Sequence, residues 1–334
     1  MKKYIPQQKT TIAVSVAAAL IILLALCCSI ISSPNDTDQP KVIYVYTSDT
    51  PAQVKEKVGA GIGWNLLSLI GYHTRAGRYE IQPGEPLWRV FRTLRNGQQS
   101  PIRLTIPKLR TLDDIAGFLS HHLMMDSTQL SRQFHSKTFC HQYGYTPETL
   151  PALFIPNTYE VWWDTTLPHF MQRMQKESAA FWTEERQAEA KDIGLSPNEV
   201  ITLASIVEEE TANTAEKPMV AGMYMKRLQI DMPLQADPTV KYAVGDFTLR
   251  RIYEKHTRTQ SPYNTYLNHG LPPGPICIPS ISSIDAVLNY TRHDNIYMCA
   301  NPDFSGTHVF AKTYAEHLQN ARKYSQALNQ RGIK

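Results

Sequence analysis

The spacing of apolar and charged positions divides this chain before any single residue stands out. From Ile12 to Ile31 about 20 consecutive positions carry no charge, close to what a helix rising about 1.5 Å per residue needs to cross a hydrocarbon core. The pattern predicts a transmembrane helix. Lys2, Lys3 and Lys9 precede it, and Ser32, Ser33, Pro34, Asn35, Asp36 and Asp38 follow it without a basic residue. The positive-inside bias therefore puts residues 1–11 in the cytoplasm and everything after about residue 33 outside. Two alternatives stay open. One is a cleaved signal peptide, although the run is long and no clear small-x-small site follows it. The other is a lipid-modified cysteine at Cys27 or Cys28, although Leu26 stands where a small residue is customary.

Beyond the apolar run, the pattern predicts an α+β fold. Residues 32–40 are polar, include Pro34 and Pro40, and read as a linker, whereas Val42 to Tyr46 is the β-branched and aromatic run of a strand. Next come a strand over Arg78 to Ile81, a Pro83-Gly84 turn, a helix over Glu85 to Leu94, an Asn96-Gly97 stop and a strand over Arg103 to Ile106. A further helix is predicted over Leu112 to Leu123. Residues 126–150 are richer in polar and turn types, so the reading is a module at 41–125, a connecting region at 126–150, and a C-terminal α+β domain at 151–330. No internal repeat is visible, which removes solenoids and propellers.

Composition adds exclusions. With 334 residues, 42% hydrophobic and 19% charged, the chain has the makeup of a globular protein. Its net charge is +4, and setting aside Lys2, Lys3 and Lys9 leaves the rest near +1, which is no basic signature for nucleic acid. Outside the apolar run stand Cys140, Cys277 and Cys299. An odd number without a C-x-x-C pair implies neither a metal cage nor a disulfide framework, and leaves room for one disulfide. No metal and no cofactor is expected.

Ser196-Pro197-Asn198-Glu199 is a helix start, with Ser as N-cap, Pro in the first turn and Glu to close a capping box. At about 100° per residue, Val200, Leu203, Ala204 and Val207 share one face, with Ile201 and Ile206 at its margins. Glu209 then lies opposite and is expected in solvent. Glu210 projects between Leu203 and Ile206, and Glu208 near Ile201. Burial disfavours a charged carboxyl, so Glu208 and Glu210 are both candidates for a raised pKa and a transferable proton. They project about 160° apart, so they do not flank one bond as the paired carboxylates of ordinary glycosidases do. One of them acts, or neither does. On helix pattern alone a glutamate is more commonly a cap, a salt bridge or a solvated charge.

Three proline-fixed stretches follow, Leu234 to Tyr242, Ser261 to Tyr266, and Gly270 to Ile276. Their amides and hydroxyls suit sugar hydroxyls and acetamido groups, and their tyrosines offer an apolar face to a pyranose ring. Asp237 either caps a turn or helix or serves as a second carboxylate. His308, ahead of Val309-Phe310 in a predicted strand, either orients a cleft group or satisfies a core hydrogen bond. Taken alone, each stretch is equally well a turn or part of a core.

Together they are specific. ASIVEEET (Ala204 to Thr211), LQADPTVKY, SPYNTY, GLPPGPI and GTHVFAKTYAEH (Gly306 to His317), in this order and spacing, resemble the signature blocks of the YceG-like, MltG-type endolytic murein transglycosylases. FIPNTYEVWW (Phe154 to Trp163) and GRYEIQPGEPLWRVFRTLRNG (Gly77 to Gly97) extend the resemblance upstream, the latter toward a LysM-like subdomain, so that it covers nearly all of residues 40–325. The resemblance implies that Glu210, the second acid of E-x-E-T, is the catalytic acid and base, with Glu208 in support. Asn157, Thr158, Tyr159, Gln235, Asp237, Thr239, Tyr263, Asn264, Thr265, Tyr266 and His308 become the implied substrate contacts. It further implies cleavage of the β-1,4 bond between N-acetylmuramic acid and N-acetylglucosamine without water as nucleophile, leaving 1,6-anhydro ends and terminating nascent strands. The implied partners are peptidoglycan glycan strands, the cell membrane through one helix, and peptidoglycan synthases of the penicillin-binding class. Two positions depart from the pattern: Glu209 stands where the family often has a basic residue, and Ile278-Pro279-Ser280 where an Asn-Pro-Gly-like turn is usual. The rival readings are a non-catalytic peptidoglycan-binding scaffold and a water-using muramidase with a second carboxylate.

Overall fold

The computed structural model describes residues 7–249 and 251–331, with side chains from residue 11 onward. Lys2 and Lys3 of the expected cytoplasmic tail lie outside the described residues. The chain forms two compact units of mixed helix and strand: Met1–Leu104 with His122–Met124 and Tyr159–Thr165, and Thr105–His121 with Met125–Thr158 and Thr166–Lys334.

The first unit opens with α1 (Gln7–Ile31). Its stretch Thr11–Ile31 has a mean hydropathy of 2.9, long and apolar enough to cross a membrane, and Ile12, Leu20, Ile21, Ile22, Leu23, Leu24 and Ile31 are exposed. There follow β1 (Lys41–Val45), α2 (Pro51–Val58), α3 (Ile62–Ser68), β2 (Gly77–Ile81), α4 (Leu87–Asn96) and β3 (Ile102–Thr105). β1 and β2 pair antiparallel with Ile43 opposite Tyr79. Alternation turns Ile43, Val45, Tyr79 and Ile81 inward, and α4 meets them with Leu87, Val90, Phe91 and Leu94 at helical spacing. The two helices α2 and α3 are additions to the sequence reading, although Thr50-Pro51-Ala52-Gln53 carries the same type of capping box as Ser196. Residues 32–40 are not a loose linker. Asn35 is buried, its Nδ2 donates to the carbonyls of Gln39 and Ile81 at 2.9 Å each, and its own carbonyl accepts from Gly84. One amide side chain thus fastens a segment whose polar composition resembles a free linker. Gly63 lets α3 close on the end of α1, because a Cβ there would stand 2.4 Å from the Ser29 carbonyl oxygen.

The second unit contains α5 (Leu112–His122), α6 (Ser127–Phe134), α7 (Lys137–Gln142), a short turn of 3-10 helix (Leu150–Leu153), and then α8 (Leu167–Phe181), α9 (Glu184–Asp192), α10 (Pro197–Glu210), α11 (Lys217–Gln229), α12 (Asp237–Val244), α13 (Glu254–Thr257), α14 (Ile281–Leu288) and α15 (Tyr314–Gln330). Of its strands, β4 (Thr158–Val161) starts here, and β5 (Tyr297–Ala300) and β6 (His308–Ala311) form an antiparallel pair with Ala300 opposite His308. Residues 126–150, expected as a connection, contain α6 and α7. The core is built on α10, packed against Val220 and Tyr224 of α11 and Ile284, Val287 and Leu288 of α14. No disulfide forms among the described cysteines. Cys140 is buried with its thiol on the Phe134 carbonyl, and Cys277 is buried with its thiol on the Ser205 carbonyl, so each thiol is spent locally as a small core residue.

Candidate active site

α10 begins where its sequence requires. The Ser196 side chain accepts from the Glu199 N–H and the Glu199 carboxylate accepts from the Ser196 N–H at 2.8 Å, closing the capping box. Its burial is not one-sided, however, because every residue from Val200 to Val207 is buried. Thr202 donates to the Asn198 carbonyl at 2.8 Å, and Ser205 donates to the Thr202 carbonyl at 2.7 Å while accepting from the Ile276 N–H at 3.0 Å. Hydroxyls satisfied by the preceding turn can be buried at little cost, so the face that reads as polar is also core. The last turn emerges from that core carrying Glu208, Glu209 and Glu210 with no basic residue beside them on the helix. Three anions at the negative end of a helix dipole are unfavourable, and each is handled differently.

Glu208 is neutralised. Its Oε2 accepts from Lys217 Nζ at 2.8 Å, Ser280 Oγ at 2.5 Å and Ser283 Oγ at 2.6 Å. Burial alone pushes this carboxyl up, but Lys217 and the two hydroxyls outweigh it and hold the group below the ordinary carboxylate range. The expected raised pKa at Glu208 is therefore corrected, because its apolar margin also carries a buried ammonium brought in by α11. Glu209 is not free in solvent either. It bonds Lys108 at 3.0 Å and Arg110 at 3.2 Å, with its side chain 16% exposed. Helix phase places it away from the apolar face correctly, but a segment before α5 covers that side.

Glu210 forms no ion pair among the described residues. Its Oε1 accepts from the Tyr224 hydroxyl at 2.5 Å. Burial pushes its carboxyl up from 4.5 to about 7, and the charge of Asp237 adds to this. The Tyr224 hydrogen bond and the charges of His308 and Lys241 pull the other way. Glu210 lines a cleft of about 330 Å³ together with Tyr224 and Arg227 of α11, Gln235, Asp237, Tyr266, Tyr297 and Cys299 of β5, His308, and Tyr314 and His317 of α15. Arg227 Nε donates to the Ile296 carbonyl at 2.6 Å and its Nη1 to the Leu234 carbonyl at 2.8 Å, which ties two walls together. Gln235 sits in left-handed backbone (φ 49), held by its N–H on the Thr265 carbonyl at 3.0 Å. Such strain at a cleft wall costs about 1 kcal/mol or more and persists only where the surroundings over-determine it.

The model of the YceG-like family matches residues 47–323. The chain belongs to the YceG-like family. It is 31% identical over 273 residues to a protein of Bacillus subtilis (strain 168) named endolytic murein transglycosylase, covering 77% of this chain and 75% of that protein. A protein of the same name from Streptococcus pneumoniae serotype 2 (strain D39 / NCTC 7466) is 29% identical over 286 residues, and there the match spans 50% of the relative. The crystal structure of a yceG-like protein from Listeria monocytogenes matches with a TM-score of 0.58 at 25% identity, over 85% of this chain and 99% of that one.

Within this YceG-like protein the residues singled out in the sequence fall into three groups. Glu210, Gln235, Asp237, Tyr266 and His308 come together on the cleft. Asp237 Oδ1 accepts from the Tyr266 hydroxyl at 2.6 Å, and His308 bonds Glu216 through both its backbone N–H and Nδ1. Thr239, Asn264 and Thr265 lie behind the wall. Thr239 and Thr265 are bonded to each other at 2.8 Å, and Asn264 donates to the carbonyls of Thr257 and Thr259. They hold the loops rather than line the cleft. Tyr263 packs on Tyr242, with ring centroids 4.6 Å apart, in a different hollow. Asn157, Thr158 and Tyr159 are not among the cleft residues: the Asn157 carbonyl accepts from Ile106, Thr158 meets Thr105, and Tyr159 is buried. Sequence reasoning missed Tyr224, Arg227, Glu216, Tyr314 and His317. A tyrosine and an arginine three positions apart on an apolar helix, and Tyr314 with His317 at the same spacing, were the available signals.

Proposed function

We propose that this chain is an endolytic murein transglycosylase. In this reading it cuts the β-1,4 bond between N-acetylmuramic acid and N-acetylglucosamine and leaves 1,6-anhydro-muramic ends. The observation that carries the reading is Glu210, a cleft carboxyl whose pKa burial raises to about 7, hydrogen-bonded to a buried tyrosine and in no ion pair among the described residues. A carboxyl with this pKa is available in both protonation states near neutral pH, as a group that must donate and then accept a proton requires. Protonated Glu210 donates to the leaving glycosidic oxygen as C1 gains positive charge. The resulting carboxylate then takes the proton from the muramic C6 hydroxyl as that oxygen bonds C1. Atoms balance without water, and the one carboxyl is restored to its starting state. The stacked Tyr297 and His317, with centroids 5.3 Å apart, offer a ring face for a sugar. Gln235 and Arg227 supply donors to acetamido or lactyl oxygens. Glu216 acts through His308, as a positioning residue.

A hydrolytic reading draws on one observation, that Asp237 places a second carboxylate on the cleft wall. In a hydrolase it would activate water or attack C1; here its bond to Tyr266 favours a role in holding the wall. Digestion of purified glycan strands by the full chain in detergent, read by mass, separates the two. Anhydro ends support the transglycosylase, reducing muramic ends alone support the hydrolase, and uncut strands with retained binding support a scaffold.

The reading extends to the rest of the chain. α1 anchors it with the N-terminus in the cytoplasm, residues 41–125 act as a LysM-like module that contacts glycan, and residues 151–330 hold the catalytic domain. Cutting then occurs on nascent strands at the outer face of the membrane, where a penicillin-binding synthase is the partner class. Protease added to intact spheroplasts should digest the region after residue 33; an undigested chain refutes this orientation.

A further inference from the structure

One turn of α12 separates the Glu210 cleft from a second hollow. Asp237 at the start of the helix faces the cleft, whereas Pro238, Lys241 and Tyr242 line a cavity with Arg110, Glu209 and Phe247. Tyr242 and Phe247 also wall a larger cavity of about 380 Å³ that reaches Tyr263, Asp113, His135 and Glu148. The first hollow is small, about 30 Å³, and the two adjoin at these shared rings, so that together they make a groove surface with three zones. At the α12 end, Lys108 and Arg110 both bond the single carboxylate of Glu209, and Lys241 adds a third cation that forms no ion pair among the described residues. That end is left with a surplus of positive charge. In the middle, Tyr242 meets Tyr263 at 4.6 Å and Phe247 at 6.1 Å, and the Arg110 guanidinium lies 5.2 Å from the Phe247 ring. At the far end stand the carboxylates of Asp113 and Glu148.

We propose that this groove binds the peptide branch of the murein substrate, a short peptide that carries both carboxylates and an amine. The inference rests on the murein reading of the Glu210 cleft. While its lactyl carboxyls are amide-bonded to peptide, a glycan strand is uncharged and leaves separated basic and acidic zones unmatched; an amidase exposes one carboxylate per muramic ring, which meets no acidic zone, whereas a peptide bearing both charges matches both. Geometry allows the reach. The peptide leaves the muramic ring at C3, two carbons from the C1 at which the strand is cut. Three extended residues span about 10 Å, more than the roughly 6 Å that separates Asp237 from Lys241 along the helix axis. Glu209 bonds Arg110 at 3.2 Å and so holds that guanidinium in the groove wall.

The test compares two substrates made from the same murein, uncrosslinked strands with their peptides and strands stripped by an amidase. The full chain in detergent should cut the peptide-bearing strands with a kcat/KM about tenfold higher, the value of one good charge-assisted contact. Lys241→Gln and Phe247→Ala should bring that ratio toward one; reading a ratio cancels any general loss of activity. A wild-type ratio of one, or variants that keep the wild-type ratio, overturns the proposal. If the wild type makes no anhydro ends from either substrate, the transglycosylase reading fails instead. Titration of the amidase-released peptide then decides the groove by itself: saturable binding weakened in Lys241→Gln upholds it, and no binding refutes it.

Discussion

The Tyr224 hydroxyl donates to Glu210 Oε1 at 2.5 Å from a side chain that is itself 1% exposed, so the carboxyl at the cleft and the core of α11 are one unit. This bond favours the charged carboxylate and opposes the rise that burial imposes. Tyr224→Phe keeps the volume and removes the donor. The Glu210 pKa should then rise above about 7, and the alkaline limb of kcat/KM, where the acid loses its proton, should move to higher pH. The pH–rate profile checks this. A fall in rate with an unmoved limb would assign Tyr224 to packing alone.

Replacing Glu210 by Gln removes the transferable proton with little change of shape. Formation of anhydro ends should fall by roughly 10² to 10⁴, the usual weight of acid–base catalysis, as measured by mass on digested strands. An active Glu210→Gln variant would exclude the mechanism proposed.

The same variant has a second readout. Because burial raises the Glu210 pKa from 4.5 to about 7, the folded chain binds this proton more tightly than the unfolded chain. Its contribution to stability is complete below about 4.5, is lost as pH rises toward 7 and is constant above, a span of ~3 kcal/mol. Glu210→Gln cannot ionise and escapes that loss. Thermal unfolding should show the variant gaining on the wild type between pH 5 and pH 8, and a gap independent of pH would contradict the raised pKa.

Glu208 predicts the opposite sign. Its carboxyl lies below the ordinary range because Lys217, Ser280 and Ser283 outweigh burial, so its contribution is present above about pH 4.5 and lost as pH falls through the depressed value. Lys217 is only 5% exposed at its side chain. Glu208→Gln strands that ammonium and should cost about 3 kcal/mol near neutral pH, read by denaturant unfolding. Glu208→Gln with Lys217→Met should recover much of it, since the pair is then removed together.

Glu209→Gln breaks bonds to two partly exposed cations, Lys108 and Arg110. Pairs of this exposure contribute up to about 1 kcal/mol, so the melting temperature should fall by about 2–4 °C while cutting of stripped strands stays near wild type. A loss of turnover equal to that of Glu210→Gln would move the acid to the neighbouring residue.

Sequence alone determined what depends on neighbours in the chain. The apolar run from Ile12 to Ile31, the strand and helix pattern from Arg78 to Leu94, and the start of α10 at Ser196 are local matters of hydrophobic spacing and backbone capping; α1 begins five residues before the run, and the others recur in the structure within a residue or two. Helical phase also put Glu210 against apolar neighbours. What the sequence left undecided was the partner of each glutamate, because partners come from residues far along the chain: Lys217 and Ser283 for Glu208, Arg110 for Glu209, Tyr224 for Glu210. The sign of a carboxyl's pKa shift is set by that balance of burial against charge and hydrogen bonding, which helix periodicity does not contain. For the same reason Thr239, Asn264 and Thr265 read as sugar-binding groups yet fold behind the cleft. A hydroxyl or amide looks the same in sequence whether it meets a ligand or a backbone carbonyl, and only the tertiary packing chooses between them.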